Sequence, residues 1–237
     1  MEKILVKDLK RSEQDYLASL KNGDESQGIP VYLKIENKVF FISDYILNDN
    51  KSFEKTAPAG LYRGGGVLDL ITDVGRVVIY DERSHWFRPI GGIARFYEGT
   101  NLVDTAIREF LEEIAVTTGD EKTRLTPKNN QKRTLLTVNN WGFSTSAIRE
   151  AGEIKVIKGF FNEDNKAFEL LIRWDISSEK DLHLFHSEVW FAGGQTGFVP
   201  FVIDHKGNLI GLYDGRHGYV SLPVNKYHPT LAQLINR

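Results

Sequence analysis

The sequence predicts an α+β protein, a mixed β-sheet with helices packed on it, and three observations carry that expectation. Short runs rich in β-branched and aromatic residues recur along the chain, separated by Gly, Asn and Asp turns. A single strongly amphipathic helix, residues 101–115, interrupts them. The composition is that of a packed chain, with 41% of the 237 residues hydrophobic, 11% aromatic and 26% charged, too apolar for a disordered polypeptide.

Taken in order, residues 8–21 are charged, with Leu9, Tyr16, Leu17 and Leu20 at helical spacing, and Asn22-Gly23-Asp24 stops that helix. Strands follow at 31–35 and 39–42, joined by Glu36-Asn37-Lys38 as a hairpin. The polar stretch 48–60 holds Pro58 and Gly60 and marks a boundary. It divides an N-terminal helix-and-hairpin extension, residues 1–58, from a larger domain, residues 59–237. Gly64-Gly65-Gly66 precedes the strand Val67–Ile71, and Thr72-Asp73-Val74-Gly75 turns the chain into Arg76–Tyr80. Residues 117–133 are polar and rich in Lys and Arg. Beyond them, strands are expected near 134–138, 153–161, 167–176, 198–203, 208–213 and 218–222, and a short helix from Pro229 to Ile235 closes the chain. One strong internal helix among many strands favours helices packed on a mixed sheet.

The charge balance and the missing cysteine narrow the chemistry. With 30 Lys+Arg against 32 Asp+Glu, the net charge is -2 and the cysteine count is 0. That excludes a thiol nucleophile, a disulfide framework, an iron–sulfur cluster and a cysteine zinc site. Near-neutral charge argues against a surface built to hold a nucleic-acid backbone. The opening residues Met1–Asp8 lack the apolar core of a signal peptide, and no segment approaches the roughly 20 apolar residues that span a bilayer. The expectation is a soluble, cytoplasmic protein without membrane contact, whose chemistry uses oxygen and nitrogen ligands.

Counted at about 100° per residue, Val103, Ala106, Ile107, Phe110, Leu111 and Ile114 form one apolar face of the 101–115 helix. Asn101 and Asp104 stand where they can cap its first turn. Glu109, Glu112 and Glu113 share a narrow stripe elsewhere, related by i, i+3 and i+4. Such neighbours repel, and Arg108, four residues before Glu112, offsets only part of it. A solvated acidic face is one reading of this stripe. A bound divalent cation is the other, because Mg²⁺ takes carboxylate oxygens and keeps positions open for substrate phosphates.

What precedes the helix favours the cation. Gly91-Gly92 follows Trp86-Phe87-Arg88-Pro89-Ile90, and a loop from Ile93 to Thr100 leads into the helix. The sequence here resembles the Nudix hydrolases, whose signature reads G-x5-E-x7-R-E-U-x-E-E-x-G-U, with U a bulky apolar residue. Arg108-Glu109-Phe110-Leu111-Glu112-Glu113-Ile114-Ala115-Val116 matches its second half at every position but one, where Ala115 replaces Gly. In the first half, Thr100 stands where the family has Glu, and seven residues separate Gly92 from Thr100 where the family has five. Glu98 either supplies the displaced carboxylate from that longer loop or is a surface residue. The likeness extends in layout over about residues 64–190 and is specific over 91–116.

The resemblance implies the Nudix fold, a mixed sheet sandwiched between helices, here with an added N-terminal segment. It also implies Mg²⁺- or Mn²⁺-dependent hydrolysis of a pyrophosphate bond in a nucleoside diphosphate linked to another group. Glu109, Glu112 and Glu113 would hold the metal with the Gly92 carbonyl and, from the longer loop, Glu98. Arg108 would orient the glutamates. Many members draw a further carboxylate from a later loop, as metal ligand or base, and Glu188 in His186-Ser187-Glu188-Val189 stands where it can serve. Otherwise it is an exposed strand-edge acid.

Around this site Trp86, Phe87, Tyr62 and Trp141 could stack on a base, although core packing is the more ordinary use of such residues. Arg63, Arg88 and Arg95 flank it and could bind phosphate, or are surface cations. Two further functions stay open at this point. A catalytically silent nucleotide-binding sensor is suggested by Thr100. An RNA-cap hydrolase is suggested by Lys122, Arg124, Lys128, Lys132 and Arg133, although Asp120 and Glu121 among them fit a solvated loop. His183 and His186 stand three apart in a context poor for zinc. The substrate expected is a small nucleotide derivative rather than nucleic acid. Residues 1–58 are an extra sheet over the site, a small separate domain, or an arm that makes a homodimer.

Overall fold

The computed structural model describes residues 2–5, 7, 10–11, 30–35, 38–43, 61–94, 102–118, 121–140, 147–162, 167–179, 189–195, 197–211, 227–228, 231–232 and 234. The fold is mixed α+β, mostly sheet with few helices. In chain order come β1 (Glu2–Leu5), β2 (Pro30–Ile35), β3 (Lys38–Ser43), β4 (Leu61–Ile71) and β5 (Gly75–Asp81). Two short strands, β6 (Trp86–Arg88) and β7 (Ile90–Ile93), precede helix α1 (Leu102–Glu113). Then follow β8 (Ile114–Thr118), β9 (Glu121–Thr126), helix α2 (Gln131–Asn140), β10 (Ala147–Glu150), β11 (Glu153–Asn162) and β12 (Ala167–Asp175). The last strands are β13 (Val189–Gly193), β14 (Phe198–Asp204) and β15 (Leu209–Gly211).

The chain divides into two compact units. The first comprises Met1–Gly66, Gly92–Thr105 and Lys158–Leu171, the second Val67–Gly91, Ala106–Ile157 and Ile172–Arg237. In the first, β1 runs parallel to β3, β3 antiparallel to β2, and β2 antiparallel to the start of β4, with Leu33 opposite both Phe40 and Leu61. The expected hairpin is present, and Ile35 pairs with Lys38. β7 and β12 also pair with β4, and the amide of Ala94 donates to the carbonyl of Gly64 at 2.8 Å.

The glycine triplet does not precede a strand, as the sequence suggested, but lies inside β4. The reason is crowding. A Cβ on Gly65 would stand 3.2 Å from Cγ of Glu169 and 3.2 Å from the carbonyl oxygen of Gly92. Glycine there lets two flanking strands approach closely.

In the second unit the end of β4 pairs with β5, β5 with β14 along its whole length, and β14 with β15. β6 lies along β5, placing Phe87 opposite Tyr80. Phe87 is core rather than a base-stacking surface: it is buried with Val78, Phe201, Ile203 and Leu231, and its ring meets Phe201 edge-on at 5.2 Å. A four-stranded sheet, ordered β10-β9-β8-β13, completes this unit. Leu231, Ala232 and Leu234, within the helix expected at the end of the chain, are helical.

Two sequence expectations are corrected. Residues 134–138 were expected as a strand because Thr134, Leu135, Leu136, Thr137 and Val138 are apolar or β-branched, yet they lie in α2. A turn at Lys128–Asn130 starts that helix, and the Thr134 hydroxyl donates back to the Asn130 carbonyl at 3.1 Å, a helical i−4 bond. The helix expected to run to residue 115 ends at Glu113, because Ile114 and Ala115 belong to β8, opposite Gly193 and Ala192 of β13. Its carbonyls are satisfied from afar: the Arg124 guanidinium donates to Leu111 at 2.8 Å and the Gly194 amide to Glu113 at 2.8 Å. The helix expected over 8–21, the boundary at 48–60 and the strand at 218–222 fall outside the described residues or almost entirely so. Among the described residues no helix is long and apolar enough to cross a membrane.

Candidate functional site

The second unit gathers the C-terminal half of α1. Ala106, Ile107, Phe110 and Leu111 are buried, and Phe110 meets the buried ring of Trp174 edge-on at 5.0 Å. This face fixes the rotation of the helix, and so fixes where its acidic stripe points. Arg108 belongs to that stripe but is only 1% exposed. Its Nη1 stands 2.7 Å from Glu109 Oε1 and 3.1 Å from Glu112 Oε2. One guanidinium thus draws two of the three carboxylates together.

Glu113 is held differently. Arg88 Nη2 donates to its Oε1, the amide of Gly91 donates to its Oε2 at 3.3 Å, and Arg88 Nη1 donates to the Gly91 carbonyl at 3.0 Å. The Arg88 guanidinium also lies over the Phe198 ring, 4.6 Å from its centroid. Arg88 alternates with Phe87 along β6, so burying Phe87 in the core turns Arg88 toward the helix. The structure therefore joins the segment before the helix to the last glutamate on it.

Burial sets the electrostatics. Glu113, 2% exposed, has its carboxyl pushed up to about 8 by desolvation, with Glu109 adding to the shift and Arg88 opposing it. Glu109 is also raised by burial, opposed by Arg108 and pushed further by Glu112. A buried and a half-buried carboxyl that both resist ionisation make a donor set that a cation would relieve. All the donors are carboxylate oxygens, which suits Mg²⁺ or Mn²⁺ rather than a softer metal. Among the described residues no three acidic or imidazole side chains are gathered as a metal group. Glu109 and Glu112 turn to Arg108, and Glu113 to Arg88.

The other predicted residues divide among several places. Gly92 belongs to the first unit, where its carbonyl oxygen stands beside Gly65. Glu169, 7% exposed, accepts from the Asn162 amide at 3.1 Å. Arg63 is half-buried on β4. Trp86 is 36% exposed on β6, with its ring edge-on to His228 at 5.9 Å. Arg88 was expected as a substrate contact and is placed against Glu113. Glu98, Arg95, Glu188, Trp141, Asn101, Thr100, His183 and His186 lie outside the described residues. In the basic stretch, Arg124 donates to Leu111 and Lys128 pairs with Glu179 at 2.5 Å.

Sequence reasoning missed Gln195, whose Nε2 stands 3.5 Å from Glu112 Oε2. Its one sequence signal is the Gly193-Gly194 doublet just before it. No protein-family model matches the chain, and no curated protein is significantly similar to it.

Proposed function

We propose that this protein is a Mg²⁺- or Mn²⁺-dependent hydrolase of the Nudix type, with the Nudix fold. It acts in the cytoplasm on the pyrophosphate bond of a small nucleoside diphosphate derivative. The observation that carries this reading is the tie between the segment just before the signature and the last glutamate of its helix. Glu113 of the Arg-Glu-x-x-Glu-Glu helix is bound through its side chain by the amide of Gly91 and by Arg88 from the segment before it. A solvated acidic face would have no reason to bury Arg108 beneath Glu109 and Glu112.

Glu109, Glu112 and Glu113 would hold the metal. When bound, such an ion neutralises phosphate charge and makes a bound water acidic enough to attack near neutral pH. The chain's own residues supply the rest. Arg108 fixes the rotamers of Glu109 and Glu112 and balances their charge. Arg88 and the Gly91 amide hold Glu113 in one orientation, so the carboxylates do not pay for their alignment when the substrate arrives. Trp86, exposed beside His228, offers a ring face to a base.

A panel of nucleotide sugars, dinucleotides and ADP-ribose, assayed for release of nucleotide with and without Mg²⁺, tests this. Metal-dependent turnover that disappears in Glu112→Gln supports the reading, and equal turnover by that variant overturns it. A second reading, a nucleotide-binding module without catalysis, draws on the arginine partner that each helix glutamate has. Saturable nucleotide binding with no metal-dependent turnover would select it.

A further inference from the structure

Asp69 lies inside β4 with its side chain fully buried, and two arginines converge on it from strands that pair with β4. Arg76 of β5 donates from Nε to Oδ1 at 2.5 Å and from Nη2 to Oδ2 at 3.5 Å. Arg173 of β12 donates from Nε and Nη2 to Oδ2, at 3.0 and 2.8 Å. The three residues belong to one compact unit, and their side-chain bonds among the described residues are to one another rather than to the helix glutamates.

One guanidinium balances one buried carboxylate, and this carboxylate has two. The cluster therefore keeps a net positive charge. Arg173 brings that charge to the surface, with a side chain 45% exposed against 19% for Arg76. A guanidinium carries five N–H donors. Asp69 takes two from each arginine, and the rest have no acceptor among the described residues. Both Nη2 groups share the oxygen Oδ2, which holds the two forks close to each other. The strands beneath are fastened at this level. The Thr72 amide and hydroxyl donate to the Gly75 carbonyl at 2.8 and 3.0 Å, closing the turn just before Arg76. The Ile176 amide donates to the Ile71 carbonyl at 2.9 Å, tying the chain after β12 to the end of β4.

We propose that Arg76 and Arg173, held together on Asp69, form a binding site for a phosphate group. Guanidinium forks match phosphate oxygens in geometry and stay charged throughout the physiological pH range. Asp69 offsets the repulsion between the two cations and orients both, so the site is set before the anion arrives. Phosphate carries more charge than a carboxylate and offers oxygens outside one plane, which suits donors coming from two forks. The site needs no divalent ion and stands apart from the hydrolase reading of the helix glutamates.

The test is a phosphorus NMR titration of inorganic phosphate with the full-length protein at constant ionic strength, for wild type, Arg173→Met, Arg173→Lys, Lys155→Met and Glu112→Gln. Arg173→Met removes one fork and leaves Asp69 bonded to Arg76. Lys155, exposed in the same unit, controls for the loss of an arbitrary surface charge. Wild type is expected to bind phosphate saturably. Affinity should fall about tenfold or more in Arg173→Met, and by less in Arg173→Lys, which keeps the charge and loses the fork. The Lys variant decides the matter if the Met variant does not fold. Lys155→Met and Glu112→Gln should bind as wild type does. No saturable binding by wild type overturns the proposal, and so does wild-type affinity in the Arg173 variants. An equal loss in Lys155→Met would mark general surface charge, and a loss in Glu112→Gln would move the phosphate to the helix glutamates; either overturns this site. Acetate, titrated in the same way, should bind more weakly than phosphate, and tighter binding of acetate overturns the assignment to phosphate.

Discussion

Replacing Glu113 with Gln should make the cation-free protein more stable in alkali, and the size of the effect follows from where the carboxyl sits. Glu113 is 2% exposed, and burial raises its pKa from 4.5 to about 8 against the pull of Arg88. The folded state therefore retains a proton that the unfolded chain releases at lower pH. The stability tied to that proton is complete below pH 4.5 and is lost as pH rises through about 8. At about 1.36 kcal/mol per pH unit, the ceiling on the loss is near 5 kcal/mol. Arg88, already donating to this carboxyl, attracts the ionised form and offsets part of the loss, so a swing of about 2 kcal/mol or more is the expected outcome. Gln at the same position cannot ionise and escapes the loss. Urea unfolding from pH 5 to pH 9 without divalent ions should show wild type losing stability relative to the variant, and added Mn²⁺ should restore the wild type alone. Parallel stability curves for the two proteins would refute the burial argument.

Three other perturbations probe the framework around the site. Glu112→Gln, on a half-buried side chain, should lower metal-dependent nucleotide release by about 100-fold or more while the circular-dichroism melt stays in place; a matching loss of melting temperature would point to misfolding instead. Gly65→Ala must fit a methyl 3.2 Å from both Glu169 Cγ and the Gly92 oxygen, and should cost about 1–3 kcal/mol in denaturant unfolding; an unchanged midpoint would show that the strands yield freely. Asp69, buried, accepts from Arg76 Nε at 2.5 Å and from Arg173 Nη2 at 2.8 Å. Asp69→Ala should destabilise by about 3 kcal/mol and Asp69→Asn by less, and equal effects would mean that the charge is not what matters.

The most local features of the site were the most legible ones. Apolar residues at helical spacing placed α1 to within two residues of its end, and the same spacing put Glu109, Glu112 and Glu113 on one stripe. The reading overran that end by two residues because no capping signal stands beside it. Arg124 and Gly194, which close the helix, come from β9 and from the turn after β13. The strand expected over 134–138 failed for the opposite reason. β-branched composition describes what a residue tolerates, and the hydroxyl of Thr134 found a helical partner in Asn130. Arg88 carried no sign that it would hold Glu113, 25 residues later. That contact depends on β6 facing Phe87 inward, which only the assembled core decides. Gln195 lay beyond any motif, since an exposed glutamine gains its meaning from the backbone beneath it. The Nudix resemblance itself spoke for a reaction class alone.

The passage from α1 to β8 has no loop: Glu113 ends the helix and Ile114 begins the strand. Helices ordinarily fray at their ends, and the last turn is where local opening is cheapest. Here that turn is stitched to a four-stranded sheet by its own chain, by Arg124 and by Gly194. The amides of residues 110–113 should therefore exchange with solvent only when the whole sheet opens, on the slowest timescale the protein has. Glu112 and Glu113 thus stand on the stretch of the helix expected to open most slowly, where thermal motion is least able to disperse them.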